Sequence, residues 1–311
     1  MPNPPLTGAL EGLALLEAKD LARYKQAVEA GNQMTFGYYF PYLLSRQRPG
    51  RSAILWIEDE GSLCLFLWRK RKGVKRLELP VAPTPMKPSV LRRCLQRCNA
   101  YNGDSSARVL RIDERDAPTV ASLLELRVEE RRHQYLFDPA QFANLEGRRY
   151  RTLRRNIALV EALPDVEVTA WTPAHDEGCR ELLARWGEQH RALHGTSGGV
   201  GGTRRVLDLA SSLTTPDLVG EVILIEGRLV AFGFGGELRP GVACFLEAKC
   251  DPEIRGLSYF QRAHFLAGLV GFDRVNDGSD VGRSGLRQLK QSLRPVAMIA
   301  EYRGFQESGT I

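Results

Sequence analysis

The chain has no apolar run of the roughly 20 residues that a bilayer-spanning helix requires. Its best stretch, around residues 263–272, is short and interrupted. The opening Met1-Pro-Asn-Pro-Pro has neither the basic start nor the apolar core of a secretory signal. Both absences predict a cytoplasmic protein without a transmembrane segment. Cysteine is sparse, with six residues (Cys64, Cys94, Cys98, Cys179, Cys244 and Cys250) and no Cys-x-x-Cys. Cys94 and Cys98 lie one helical turn apart, but two thiols alone make a poor zinc site, and buried free thiols are expected. Histidine is scarcer still, at five. His190 and His194 have the spacing of two ligands on one helix face, yet no Glu stands beside them and no third ligand is in sight, so no metal is expected. The glycine run at residues 195–202 lacks a Gly-Lys-Ser/Thr ending and follows no strand. It reads as a lid or a linker, with phosphate cradling as the other option.

What is present fits a folded, soluble chain. A hydrophobic fraction of 43% with 26% charged residues excludes disorder. At 311 residues the chain is long for one core. Two domains are expected, residues 1–160 and 161–311. The net charge of +6 is modest, but the cations are clustered. One cluster is the run at residues 69–76, a solvated loop or a contact for a polyanion. The other is Arg148, Arg149, Arg151, Arg154 and Arg155. They surround a helix whose apolar stripe is Tyr150, Leu153, Ile157 and Val160, so the helix docks on protein and turns its arginines outward. Planar guanidinium forks suit phosphate. The alternative is an interdomain helix paired with Glu129, Glu130 and Glu146.

Periodicity predicts a helix over residues 13–28 and a packed aromatic segment at 36–42. Strands follow at 53–57 and 63–68 around a turn, then a proline-broken loop at 80–88. A helix over 89–101 has Ser89 as N-cap, a strand covers 108–112, and a charged, mostly helical stretch covers 119–163. Beyond Pro164 the order is a strand at 166–171, a helix at 174–191, and a second helix ending near Leu213. Strands at 221–225, 229–234 and 242–250 precede a helix at 258–270. The repeated order of strand, helix, hairpin, strand and helix predicts an α/β (α+β) fold of two similar halves.

Residues 276–295 concentrate the chemistry. Glycines and acidic or amide residues come first and resist regular structure; Leu286, Leu289 and Leu293 then share a helix face. Pro295 stops that helix. Arg283, Arg287, Lys290 and Arg294 form a basic stripe beside the leucines. Asp280 stands at the helix entrance, where a carboxylate can cap orphan N–H groups. The stretch from Asp280 through Gly282, Gly285, Leu286, Arg287, Lys290 and Ser292 to Pro295 resembles the closing signature Asp-x-Gly-x-x-Gly-Leu-Arg-x-x-Lys-x-Ser-x-x-Pro of a family related to the C-terminal domain of phosphatidylglycerol lysyltransferase. Residues 135–156 resemble the same family's central motif, in the expected order.

The resemblance implies two tandem GNAT-like domains, each a mixed, mostly antiparallel sheet flanked by helices, and a transferase without a bound cofactor. It implies aminoacyl-tRNA as donor, with a lipid head group or a small amine or hydroxyl compound as acceptor and peripheral membrane contact as an option. On this reading Asp280 binds the donor's α-ammonium group, Arg283 or Arg287 lies near the ester or terminal phosphate, and Asn276 and Lys290 belong to the substrate site. Glu247 is the general-base candidate and Lys249 orients the acceptor, although strand alternation also allows Glu247 to point outward. The five arginines and the run at 69–76 would meet tRNA phosphates. Acetyl-CoA is the alternative donor. Against it, the pyrophosphate-binding turn of GNAT acetyltransferases is rich in glycine, whereas residues 253–259 carry only Gly256. A non-catalytic nucleic-acid or membrane-surface binder is the third reading.

Overall fold

The computed structural model describes residue 4 and residues 6–123, 126–212 and 217–306. The chain forms two compact units, Met1–Gln134 with Ile299–Ile311, and Tyr135–Met298. The arginine-rich segment, grouped by sequence with the first half, falls within the second unit.

Unit 1 begins with β1 (Ala14–Leu15), α1 (Leu21–Ala30) and α2 (Phe40–Ser45). The helix expected over residues 13–28 is therefore only its second half. Ala14 and Leu15 pair antiparallel with Trp56 and Leu55, and a reciprocal cap between Glu17 and Asp20 starts a new helical turn. β2 (Ser52–Asp59), β3 (Ser62–Arg71) and β4 (Val74–Glu78) continue the sheet in sequence order. The basic run at 69–76 is no loop. It is the tip of the β3–β4 hairpin, where Lys72 and Gly73 take the positive φ angles (49° and 83°) of a tight turn. Two of its charges are neutralised, Arg69 by Glu78 and Arg76 by Asp104. α3 (Pro88–Asn102) starts one residue before the expected cap, with Lys87 at the N-cap and Pro88 pre-set for the first turn. It crosses over to β5 (Arg108–Asp113), which meets the end of β4 through a parallel bridge at Leu79 and Val109.

After α4 (Ala117–Ala121), β6 (Arg127–Phe137) replaces much of the helix expected over 119–163. Its charged residues favour no strand by themselves, and pairing within a sheet overrides local propensity. The core of this unit joins Leu55, Phe66, Trp68, Leu91, Leu95, Val109 and Ile112.

Unit 2 contains α5 (Ala140–Ala143), α6 (Arg151–Glu161), β7 (Val166–Ala170), α7 (Asp176–His194), α8 (Val200–Ser212), β8 (Val219–Ile225), β9 (Arg228–Arg239) and β10 (Val242–Cys250). The helix end expected near Leu213 lies outside the described residues. α9 (Leu257–Gly268), β11 (Arg274–Ser279), α10 (Ser284–Ser292) and the start of β12 (Ala297–Phe305) follow. β7 to β10 are antiparallel neighbours in order. β11 then joins β10 in parallel, and a parallel neighbour demands the crossover that α9 supplies. Their pairing stops at Cys244 and Asn276, while β10 stays paired with β9 as far as Cys250. The two strands therefore part and leave a wedge. α9 packs Phe265 and Leu266 on Phe245, while α7 and α8 cover Phe232 and Phe234. The last strand, β12, returns to unit 1 and pairs antiparallel with β5, from Glu301 opposite Asp113 to Phe305 opposite Arg108.

Candidate active site

The end of β11 and the start of α10 form the centre of the site. Residues 276–279, expected to be irregular, complete strand β11, whose parallel pairing with β10 ends at Asn276. The chain then turns through Val281 and Gly282, both at positive φ (47° and 78°), and α10 begins with Arg283 at its N-cap. Asp280 is therefore not the helix cap. Its Oδ1 accepts the Gly282 N–H at 2.8 Å, and its Oδ2 accepts from Arg287 Nε at 2.7 Å and from the Tyr135 hydroxyl at 2.9 Å. Arg287 above all, together with these other donors, holds the Asp280 carboxyl down at about 2. It is an anion across the physiological range, and its partner Arg287 is half exposed.

Lys290 lies behind this corner, only 2% exposed. Its ammonium donates to the carbonyls of Asp277, Gly278 and Ser279, and sits 3.3 Å from the Asp277 carboxylate. Arg262 on α9 pairs with Asp277 at 3.2 Å. Burial pushes Lys290 down to about 8, against the pull of Asp277. Asn276 is fully buried, and its Oδ1 accepts the Gly278 N–H at 2.7 Å. Lys290 and Asn276 thus hold the shape of the β11 end. Arg283 is exposed, and its guanidinium reaches no partner among the described residues.

Glu247 and Lys249 form a second group on β10, beyond the point where β11 departs. Strand alternation sets them on one face, just past a register shift between Phe245 and Glu247, and they pair with each other. The Lys249 ammonium lies 4.8 Å from the ring centroid of Trp186 on α7. Trp186 stacks on His190, and His190 packs on His194. Gly198 closes over these rings, where an added Cβ would lie 2.7 Å from both Trp186 and His190. Among the described residues no hydrogen bond or ion pair joins this group to the Asp280 corner.

α6 has the amphipathic build expected of it, with Leu153 and Val160 buried and Tyr150 buried just before it. Arg148, Arg149, Arg151, Arg154 and Arg155 are all exposed, and none pairs with a described carboxylate. Of the acids that might have answered them, Glu129 pairs with Arg303 and Arg127, Glu130 with His133, and Glu146 accepts from Asn144. Arg154 donates to the carbonyls of Leu145 and Gly147. The other side of α6 rests on the start of α9. Gly256, at φ 88°, lies so close that a Cβ there would collide with the Asn156 carbonyl oxygen.

Sequence reasoning missed Tyr135, Asp277, Arg262 and Trp186. Asp277 lies inside the glycine-rich stretch and Tyr135 opens the second motif, so both were in view. Arg262 and Trp186 carry no local signal, because only the crossover of α9 and the packing of α7 bring them in. All six thiols are free, and five are buried. A shallow hollow of about 290 Å³ between α7 and the β8–β9 turn contains none of the predicted site residues.

Two α/β units, with a parting pair of parallel strands bridged by a helix and a charged corner beside the wedge, have the tandem GNAT-like fold. The tandem GNAT protein from the clavulanic acid biosynthesis pathway superposes with a TM-score of 0.51 at 12% identity, covering 94% of this chain and 98% of that one. The family described as "Phosphatidylglycerol lysyltransferase, C-terminal" matches residues 48–304, and the chain belongs to it. A conserved protein of unknown function from Bacteroides thetaiotaomicron VPI-5482 superposes with a TM-score of 0.80 at 19% identity, covering 95% of this chain and 99% of that one. L-PGS from Bacillus licheniformis gives 0.67 at 14% identity, covering 96% and 94%. Among curated proteins none matches the sequence. No described helix is long and apolar enough to cross a membrane.

Proposed function

We propose that the protein transfers an aminoacyl group from aminoacyl-tRNA to an amine or hydroxyl acceptor, a lipid head group or a small molecule. The observation that carries this reading is the placement of α6. Its backbone at Asn156 occupies the approach to the start of α9, where a GNAT acetyltransferase would bind pyrophosphate, and its outer face offers five exposed arginines. That supports RNA phosphate over coenzyme A.

An aminoacyl ester is already activated, so the enzyme's tasks are positioning, proton removal and charge stabilisation. Asp280, ionised and paired with an exposed Arg287 that a second cation could displace, receives the α-ammonium group of the donor. Arg283, at the N-cap of α10, lies free to meet the ester or the terminal phosphate. Glu247 takes the proton from the acceptor as its nitrogen or oxygen attacks the ester carbonyl. The ester C–O bond then breaks, and the ribose oxygen of the tRNA leaves with a proton. Lys249, held between Glu247 and Trp186, orients the acceptor. Lys290 and Asn276 serve by fixing the loop that carries Asp280.

The test is binding of bulk aminoacylated and deacylated tRNA by filter retention, beside acetyl-CoA by calorimetry. Preference for charged tRNA supports the proposal. Tight acetyl-CoA binding without tRNA binding overturns it in favour of an acetyltransferase. Salt-steep RNA binding without turnover leaves a binding protein.

A further inference from the structure

Charge in unit 1 is sorted along β3, a strand of ten residues that spans about 30 Å. Acids stand at its start. Glu58, Asp59 and Glu60 lie where β2 turns into β3, and there Arg23 pairs with Glu58 and Arg93 with Asp59 and Glu60. Cations stand at its far end, on the β3–β4 hairpin. The register sets Arg69 opposite Arg76, Lys70 opposite Lys75 and Arg71 opposite Val74. Glu78 answers Arg69 and Asp104 answers Arg76, both at the base of the hairpin. The side chains of Lys70, Arg71, Lys72 and Lys75 are exposed and meet no carboxylate among the described residues. Arg51, also exposed, adjoins them, because its carbonyl accepts the Lys70 N–H at 2.7 Å.

Stability alone disfavours this arrangement. Like charges directly opposite on a hairpin repel, and Lys70 faces Lys75. The turn at Lys72 and Gly73 takes two positive φ angles, for which Asn or Asp before Gly is the ordinary choice, and a lysine stands there instead. Lysines on an edge strand guard against stray pairing. That accounts for Lys75 on β4 and leaves Lys70, Arg71 and Lys72 without such a reason. Among these charges Val74 stands 57% exposed. An apolar side chain framed by cations at the tip of a hairpin fits the boundary between lipid head groups and acyl chains.

We propose that the β3–β4 hairpin docks on an anionic lipid bilayer, with Lys70, Arg71, Lys72 and Lys75 against head-group phosphates and Val74 entering the interface. Two features favour a bilayer over RNA. Three of these four cations are lysines, whose compact charges suit a diffuse negative surface better than bidentate recognition of single phosphates. Residues 69–76 also include no aromatic ring to stack on a base, and the adjacent Trp68 is buried, its indole N–H donating to the Tyr101 hydroxyl at 2.6 Å. The inference goes beyond the donor reading and holds whichever donor the protein uses.

The test uses the full chain and co-sedimentation with phosphatidylcholine vesicles, with and without phosphatidylglycerol. The wild type should bind only the vesicles that contain phosphatidylglycerol. Lys70→Gln, Lys72→Gln and Lys75→Gln together should weaken that binding about a hundredfold, at about fivefold for each charge, with no fall in melting temperature. Val74→Ser, which leaves the charge unchanged, should weaken it about threefold to tenfold, and it carries the test if the triple variant folds poorly. Vesicle binding unchanged in both variants overturns the proposal, as does the absence of vesicle binding by the wild type. A loss of tRNA retention in the triple variant with vesicle binding intact overturns it in favour of RNA.

Discussion

On the proposed reading, Asp280 carries both structure and chemistry in one carboxylate. It is itself buried and accepts three hydrogen bonds, but its ion-pair partner is half exposed and an Asn side chain still offers an acceptor oxygen. Asp280→Asn should therefore reduce aminoacyl transfer by at least about a hundredfold while moving the melting temperature by only a few degrees. A large fall in melting temperature would make Asp280 a structural residue. Its folded pKa, about 2, lies below its ordinary value of 3.8. The stability it adds is complete above about pH 4 and fades as pH falls towards 2, and an acid titration of wild type against Asp280→Asn measures that window. Lys290 has the opposite balance. Lys290→Met leaves three carbonyls without their donor and should cost about 2–4 kcal/mol in denaturant unfolding. Because the buried lysine titrates near 8 rather than 10.5, the unfolded chain holds more protons between those values. Wild-type stability should accordingly rise relative to Lys290→Met as pH increases across that interval.

At the scale of elements, the decisive contact is between α6 and α9. Gly256→Ala places a Cβ against the Asn156 carbonyl at a left-handed φ, and should destabilise unit 2 by more than about 2 kcal/mol in thermal unfolding. Replacing Arg151, Arg154 and Arg155 by Gln removes exposed charge, so the fold should hold. The same triple variant should weaken tRNA binding and flatten its salt dependence by about two to three in slope. Unchanged binding would remove α6 from the interface. The helices and hairpins were legible where a local signal existed. The stripe of Leu153 and Val160 announced α6, and the strand bounds of β10 were read correctly from its apolar run. β6 was not legible, because its Arg and Glu residues are strand-forming only when neighbouring strands supply partners. The two carboxylate–cation groups were each visible as residue types. Their pairings, Lys290 with the carbonyls of 277–279 and Lys249 with Trp186, arise from distant segments.

On the scale of the whole chain, the sequence predicted two similar α/β halves, and the repeat is real in outline. β4, α3 and β5 in unit 1 echo β10, α9 and β11 in unit 2. What no periodicity could reveal is that the units are not consecutive. β12 leaves unit 2 and pairs with β5, closing unit 1 with residues made after unit 2. The timing of synthesis follows from that pairing. A ribosome making this protein completes the first unit it begins only after the second has fully emerged, and until then β5 presents an open edge that invites wrong partners. Residues 135–298, being continuous, need not wait. Expressed alone they should unfold cooperatively, whereas residues 1–134 alone should aggregate or require residues 299–311 supplied as a separate peptide.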